Sequence, residues 1–142
     1  YRVAWHTFSM TYQNPWLDEV SQKCEPYSYL VSLNRSTAEK IGIKDDDLIW
    51  VKAAQAGRVL GRAKLTEGIH PQVVGIANNG GHWARHMPFA RGKGVFFEAL
   101  LPITWEACDP VSCTMDCDAP VKVYKATKDE LQRWGAMGWA PE

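Results

Sequence analysis

The chain has 142 residues, 16 Lys plus Arg against 16 Asp plus Glu, 46% hydrophobic residues and 4 Cys. The neutral balance argues against duplex nucleic acid as the main partner, since that binding rests on neutralising phosphates with Lys and Arg, and no apolar run approaches the roughly 18 residues that insert across a bilayer. Abundant aromatic residues, among them 7 Trp, exclude a disordered chain, and the length suits one folded domain that buries roughly 68–70% of its unfolded surface without disulfides or a metal.

Tyr1-Arg2-Val3-Ala4-Trp5 reads as a strand already under way, so the chain is expected to be a piece of a longer polypeptide. Segments rich in β-branched and aromatic residues then recur between Gly, Pro and Asp, which predicts a mainly β domain with short helices. The expected strands are Arg2 to Thr7, Tyr29 to Leu33, Leu48 to Ala53, Arg58 to Thr66, Val73 to Ala77 and Val121 to Lys125. In the second, Tyr29, Val31 and Leu33 share one face and Leu30 and Ser32 the other. A short helix follows it, with Ser36 and Glu39 at capping-box spacing and Gly42 as its C-cap. Asp45-Asp46-Asp47 forms a turn, and Gln55-Ala56-Gly57 a hairpin turn. The strand from Arg58 alternates Val59, Gly61, Ala63 and Leu65 inward with Arg58, Leu60, Arg62 and Lys64 outward. Its small inward residues imply a close neighbour. Asn78 to Gly94 and Thr104 to Pro120 read as long irregular loops, a length that usually marks function. Lys128 to Trp134 suits an amphipathic helical turn.

Cys108, Cys113 and Cys117 have C-x4-C-x3-C spacing, with Cys24 distant. Four thiolates are a zinc or iron–sulfur ligand set, but the paired C-x-x-C of zinc sites is absent, and loop cysteines packed as small hydrophobes are the preferred reading. His82 and His86 share a helix face only if a helix forms, which the surrounding glycines disfavour. The three aspartates suit a solvated turn better than a cation site. No Ser-His-Asp set, phosphate-cradling Gly-rich loop or H-E-x-x-H element is present. The polar segment Trp5 to Asn14 gathers hydroxyls, amides and backbone N–H groups past a strand end, an arrangement suited to gripping phosphates and equally that of an ordinary Ser/Thr-rich loop. The Asn79-Gly80-Gly81-His82-Trp83 loop has the same two readings.

Ser36-Thr37-Ala38 to Gly42-Ile43, Asp47 to Val51, Gly57-Arg58-Val59, Ala63 to Pro71 and Val73-Val74-Gly75 together resemble the C-terminal dinucleotide-binding domain of the molybdopterin oxidoreductases, the dimethyl sulfoxide reductase family. The likeness runs from Val3 to Lys125. It implies a six-stranded double-psi β-barrel over residues 1–126, with 127–142 as a tail. It also implies a role as a cofactor-binding domain of a larger molybdenum or tungsten oxidoreductase, gripping the guanine dinucleotide arm of a bis-pterin cofactor, molybdopterin guanine dinucleotide. Trp5-His6-Thr7-Phe8-Ser9-Met10-Thr11 matches the family's cofactor-contacting segment, with Phe8 in place of Gly. Asp109-Pro110-Val111-Ser112 matches an Asp-Pro-x-Ser near the pterin, and the loop with Asn79, His82 and Trp83 takes the place of a pterin-facing loop. The expected cofactor residues are therefore Trp5, His6, Thr7, Ser9, Met10, Thr11, Asn79, His82, Trp83, Asp109 and Ser112, with no catalytic residue and no metal ligand. Glu98 falls where the family has an Asn, and a carboxylate there would repel phosphate.

The resemblance further implies that an iron–sulfur cluster belongs to a missing N-terminal part. The expected partners are the remaining domains of the parent chain and its electron-transfer subunits, with no nucleic acid and no direct membrane insertion. The fragment alone is expected to be inert, in a prokaryotic parent on the cytoplasmic or periplasmic side. The alternative is a stand-alone double-psi barrel module recognising a protein or peptide partner through Trp16, Trp83 and Trp105. A self-processing decarboxylase barrel would need a Gly-Ser pair, which the sequence lacks.

Overall fold

The structure, a computed structural model, describes residues 2–3, 13–24, 29–77, 80–114 and 118–136. In chain order the elements are β1 (Arg2–Val3), α1 (Pro15–Cys24), β2 (Val31–Asn34), α2 (Arg35–Lys40), β3 (Leu48–Ala53), β4 (Arg58–Thr66) and β5 (Val74–Ala77), then 3-10 turns at Phe97–Leu100 and Trp105–Ala107, β6 (Val121–Lys125) and α3 (Lys128–Ala136). The fold is mainly β with short helices, as expected. The six strands form one sheet in the order β1-β5-β2-β4-β3-β6. Five have four or more residues, and β1 has two. β1 pairs with β5, and β2 with β4, in parallel, while the remaining neighbours are antiparallel. Among the described residues no ladder joins β6 to β1, so the sheet is open there.

β2 starts two residues later than expected and is buried along its whole length rather than alternating. Val31 and Leu33 point into the core, Asn34 is taken up by the α2 cap, and the neighbours β4 and β5 pair both edges of the strand. β4 alternates as the sequence predicts, with Val59, Gly61 and Ala63 buried. The close neighbour inferred from Gly61 is real: a Cβ there would stand 2.6 Å from Val31 Cγ2 and 2.7 Å from Val95 Cγ2. These contacts join a core of Val31, Leu33, Ile49, Val51, Val95 and Leu100.

The α2 cap differs from expectation. Asn34, not Ser36, is the N-cap; its Oδ1 accepts from the Ser36 N–H at 3.0 Å and the Ser36 hydroxyl at 2.7 Å. Its Nδ2 donates to the Ile69 carbonyl at 2.7 Å, tying the helix start to the β4–β5 connection. The C-terminus is as expected, with Gly42 at φ 71. The N–H groups of Gly42 and Ile43 close back on the carbonyls of Glu39 and Ala38 at 3.2 and 2.9 Å, which satisfies carbonyls the helix leaves open.

Asp45-Asp46-Asp47 is a bonded turn, as expected. Asp45 accepts the Leu65 N–H at 2.7 Å and pairs with Lys64; Asp47 accepts the Lys44 N–H at 2.8 Å and Lys125 Nζ at 2.7 Å. The Leu65 N–H holds the Asp45 carboxyl below its ordinary value, and Lys125 does the same at Asp47. Asp46 adopts φ 67, a left-handed conformation. α3 is capped reciprocally: the Thr127 N–H donates to Glu130 Oε2 at 3.1 Å, and the Glu130 N–H to Thr127 Oγ1 at 3.3 Å. Arg58 anchors this helix to the sheet, lying 4.2 Å from the centroid of the fully buried Trp50 and 3.4 Å from Glu130.

Candidate functional site

The Gly-rich loop after β5 folds against itself at backbone contact. The Gly81 N–H donates to the Lys93 carbonyl at 2.7 Å, and the Gly92 N–H to the His82 carbonyl at 2.9 Å. A Cβ on Gly81 would sit 2.2 Å from the Phe96 nitrogen, and one on Gly80 3.1 Å from the Val95 nitrogen. Gly81, Gly92 and Gly94 have φ between 74 and 75, values an L side chain adopts only at a cost. The glycines are therefore requirements of a close double-backed clasp. Trp83 lies against Gly92 and lines a cavity of about 130 Å³ with Arg58, Leu60 and Phe96. His82 and Trp83, expected from the sequence, both belong to this clasp.

Helix α1 was absent from the expected elements, and it fixes the clasp. Asn14 Oδ1 caps it by accepting the Trp16 and Leu17 N–H groups at 3.0 and 3.3 Å. Asn14-Pro15 is an N-cap followed by Pro at the first helical position, a signal that identifies this start. On α1, Asp18 is 6% exposed. It accepts hydrogen bonds from Tyr29 Oη and Lys93 Nζ, and the carbonyl of Lys93 is the one that receives Gly81. One buried carboxylate thus ties the helix to Tyr29 and to the clasp arm that carries Lys93.

Gln13, just before the cap, stands inside the polar segment singled out in the sequence but outside the expected cofactor residues. Its Oε1 accepts the Phe89 N–H at 3.1 Å, which fixes the amide orientation. Its Nε2 is buried and has no hydrogen-bond partner among the described residues. A buried amide donor left unpaired costs about 1–3 kcal/mol, so this nitrogen calls for an acceptor beyond the described residues.

Trp5, His6, Thr7, Ser9, Met10, Thr11 and Asn79 lie outside the described residues. Asp109 and Ser112 form a separate exposed turn. Asp109 Oδ1 accepts the Val111 N–H at 3.0 Å, the Ser112 N–H at 2.7 Å and the Ser112 hydroxyl at 2.9 Å. Ser112 Oγ also bonds Thr114 Oγ1 at 2.7 Å. The Ser112 N–H, followed by its hydroxyl, holds the Asp109 carboxyl below its ordinary value. These hydrogen bonds of Asp109 and Ser112 close their own turn. Cys108 and Cys113 are free thiols, and Cys117 lies outside the described residues.

The start of α1 is thus joined to the Gly-rich loop after β5 at two points, Gln13 with Phe89 and Asp18 with Lys93. The chain belongs to the family described as the molydopterin dinucleotide binding domain, whose model matches residues 1–114. No curated protein matches the sequence. Among solved structures the chain is similar to acetylene hydratase from Pelobacter acetylenicus, with a TM-score of 0.64 and 17% identity. The match covers 88% of this chain and 18% of that one, and at this identity it concerns the fold.

Proposed function

We propose that this chain is the domain of a larger molybdenum or tungsten oxidoreductase that grips the guanine dinucleotide arm of a bis-pterin cofactor. The family match across residues 1–114 carries this reading. The Gln13 Nε2, which has no partner among the described residues, fits such a ligand, since phosphates and ring carbonyls are acceptors. When bound, the cofactor supplies the redox-active metal centre; the chain supplies binding and orientation. On this reading the segment with Trp5, His6, Thr7, Ser9, Met10 and Thr11 leads into Gln13, and Asn79, His82 and Trp83 face the same ligand. Asp109 and Ser112, held in their own turn, contribute further contacts to the cofactor on this reading.

The same reading makes residues 1–126 a double-psi barrel and 127–142 an appended tail. The parallel pairs β1–β5 and β2–β4 within an otherwise antiparallel sheet support the barrel. The partners are then the remaining domains of the parent chain and electron-transfer subunits, with an iron–sulfur cluster elsewhere in the parent. The test is equilibrium binding of isolated molybdopterin guanine dinucleotide, followed by tryptophan fluorescence. Gln13→Leu removes the unpaired donor and is expected to weaken binding about tenfold, the worth of about one buried hydrogen bond. Equal affinity for the two proteins would remove Gln13 from the site.

A further inference from the structure

We propose a second, separate site on the outer face of the sheet, where Lys52 and Lys122 bind a phosphate group. The observation is one of register. Lys52 on β3 stands directly opposite Arg58 on β4 and directly opposite Lys122 on β6. Three cations thus form one row across three strands, with neighbouring Cβ atoms about 4.5–5.5 Å apart, a placement in which like charges repel.

The other cations on β3, β4 and β6 each have a carboxylate: Arg58 with Glu130, Arg62 with Asp46, Lys64 with Asp45 and Lys125 with Asp47. Glu130 is further engaged by the Thr127 N–H and hydroxyl. Lys52 and Lys122 have no ion pair among the described residues, and both are exposed. Among the described residues, the cations of β3, β4 and β6 are therefore paired one by one except at Lys52 and Lys122, which face each other. Beside them runs a groove of about 410 Å³ floored by Ala53, Ala54, Pro120 and Val121. It is held by the Ala54 N–H, which donates to the Pro120 carbonyl at 3.2 Å.

A phosphate monoester carries roughly −1.5 to −2 charge at neutral pH, which matches two ammonium groups better than a single carboxylate does. The groove is larger than a phosphate alone, and its apolar floor leaves room for the organic remainder of an ester. Free phosphate and a phosphate ester share the headgroup chemistry, and the experiment separates them.

The test is an NMR titration of the 142-residue chain with inorganic phosphate and, in parallel, with glycerol phosphate, at low ionic strength. Saturable shifts are expected at Lys52, Ala53, Ala54, Val121 and Lys122. Lys52→Gln with Lys122→Gln should weaken the affinity at least about tenfold, while Lys40→Gln, an exposed lysine on α2, should leave it unchanged. Tighter binding of the ester identifies an organic phosphate as the natural ligand; equal binding identifies the free ion. Both exposed substitutions leave the core untouched, and an unchanged amide spectrum of the double variant verifies this. Shifts spread over lysines generally without saturation, or unaltered affinity in the double variant, would overturn the proposal.

Discussion

Replacing Gly81 by Ala tests whether the clasp is as close as its geometry states. The added Cβ would lie 2.2 Å from the Phe96 nitrogen and 2.7 Å from both the Phe96 Cα and the Val95 carbonyl carbon. All three are backbone atoms, so no side-chain rotation relieves the clash, and the two arms must part by about 1 Å to reach ordinary contact. That separation breaks the Gly81-to-Lys93 and Gly92-to-His82 hydrogen bonds, each worth about 1 kcal/mol. The left-handed backbone at φ 75 adds about 1–2 kcal/mol for an L residue. The sum is about 3–4 kcal/mol, or roughly 10–13 °C in Tm for a domain of this size. Gly42→Ala is the matched control. It has a similar φ of 71 but nothing within 4 Å of the new Cβ, so only the backbone cost of about 1–2 kcal/mol applies. Thermal and urea unfolding followed by circular dichroism measure both. Equal losses at Gly81 and Gly42 would refute the steric argument and with it the close approach of the two arms.

Asp46→Gly relieves the left-handed backbone and gives up only the 3.5 Å contact with Arg62 by a side chain that is 75% exposed; the urea midpoint should rise, by about 1 kcal/mol of stability, and a fall would contradict the reading. Asn34→Ala removes the α2 cap and leaves the Ile69 carbonyl without its donor, so a loss of about 2–3 kcal/mol is expected in the same assay. Asp47→Asn tests the acid side of the stability profile. The folded carboxyl is held below its ordinary 3.8, mainly by Lys125, so the unfolded chain binds more protons between that value and the folded one. Its contribution is then full above the unfolded value and disappears as pH falls through the folded value. The variant should be less stable at neutral pH and converge with the wild type as pH falls through the lowered folded value; a constant difference down to acid pH would contradict it.

The sheet was readable where period and punctuation agree. β3, β4 and β6 have the boundaries expected of them because Gly57, the acidic turn and Pro120 bracket apolar runs, and the alternation along β4 follows from one buried and one outward face. β2 defeated the alternation rule because all four of its residues are buried, a tertiary fact that four residues do not encode. Helix α1 was missed although Asn14-Pro15 marks its start: its apolar residues are sparse, and Trp16 and Val20 remain 78% and 55% exposed, so no clear apolar stripe identifies it. The capping box at Ser36 was spacing without geometry, since Asn34 stands nearer the turn and reaches both Ser36 and Ile69. At the site, the glycines signalled the clasp, and Trp83 is part of it. Gln13 was harder to single out, because an amide in a polar segment has no distinguishing pattern until its two ends are seen to differ, one bonded and the other buried alone. Asp109 and Ser112 matched a motif whose spacing equally serves a turn that closes on itself.

The central claim is that the segment leading into α1 and the glycine clasp hold a guanine dinucleotide. It is tested most directly by an NMR titration of the chain with molybdopterin guanine dinucleotide or, as a simpler probe, a guanine nucleotide. The expected result is a set of perturbed resonances at His6, Thr7, Ser9, Thr11, the Gln13 side-chain amide and the Trp83 indole, with smaller effects from an adenine nucleotide. Perturbations confined to Lys52 and Lys122, to the exposed Trp105, or to no residue at all would contradict it.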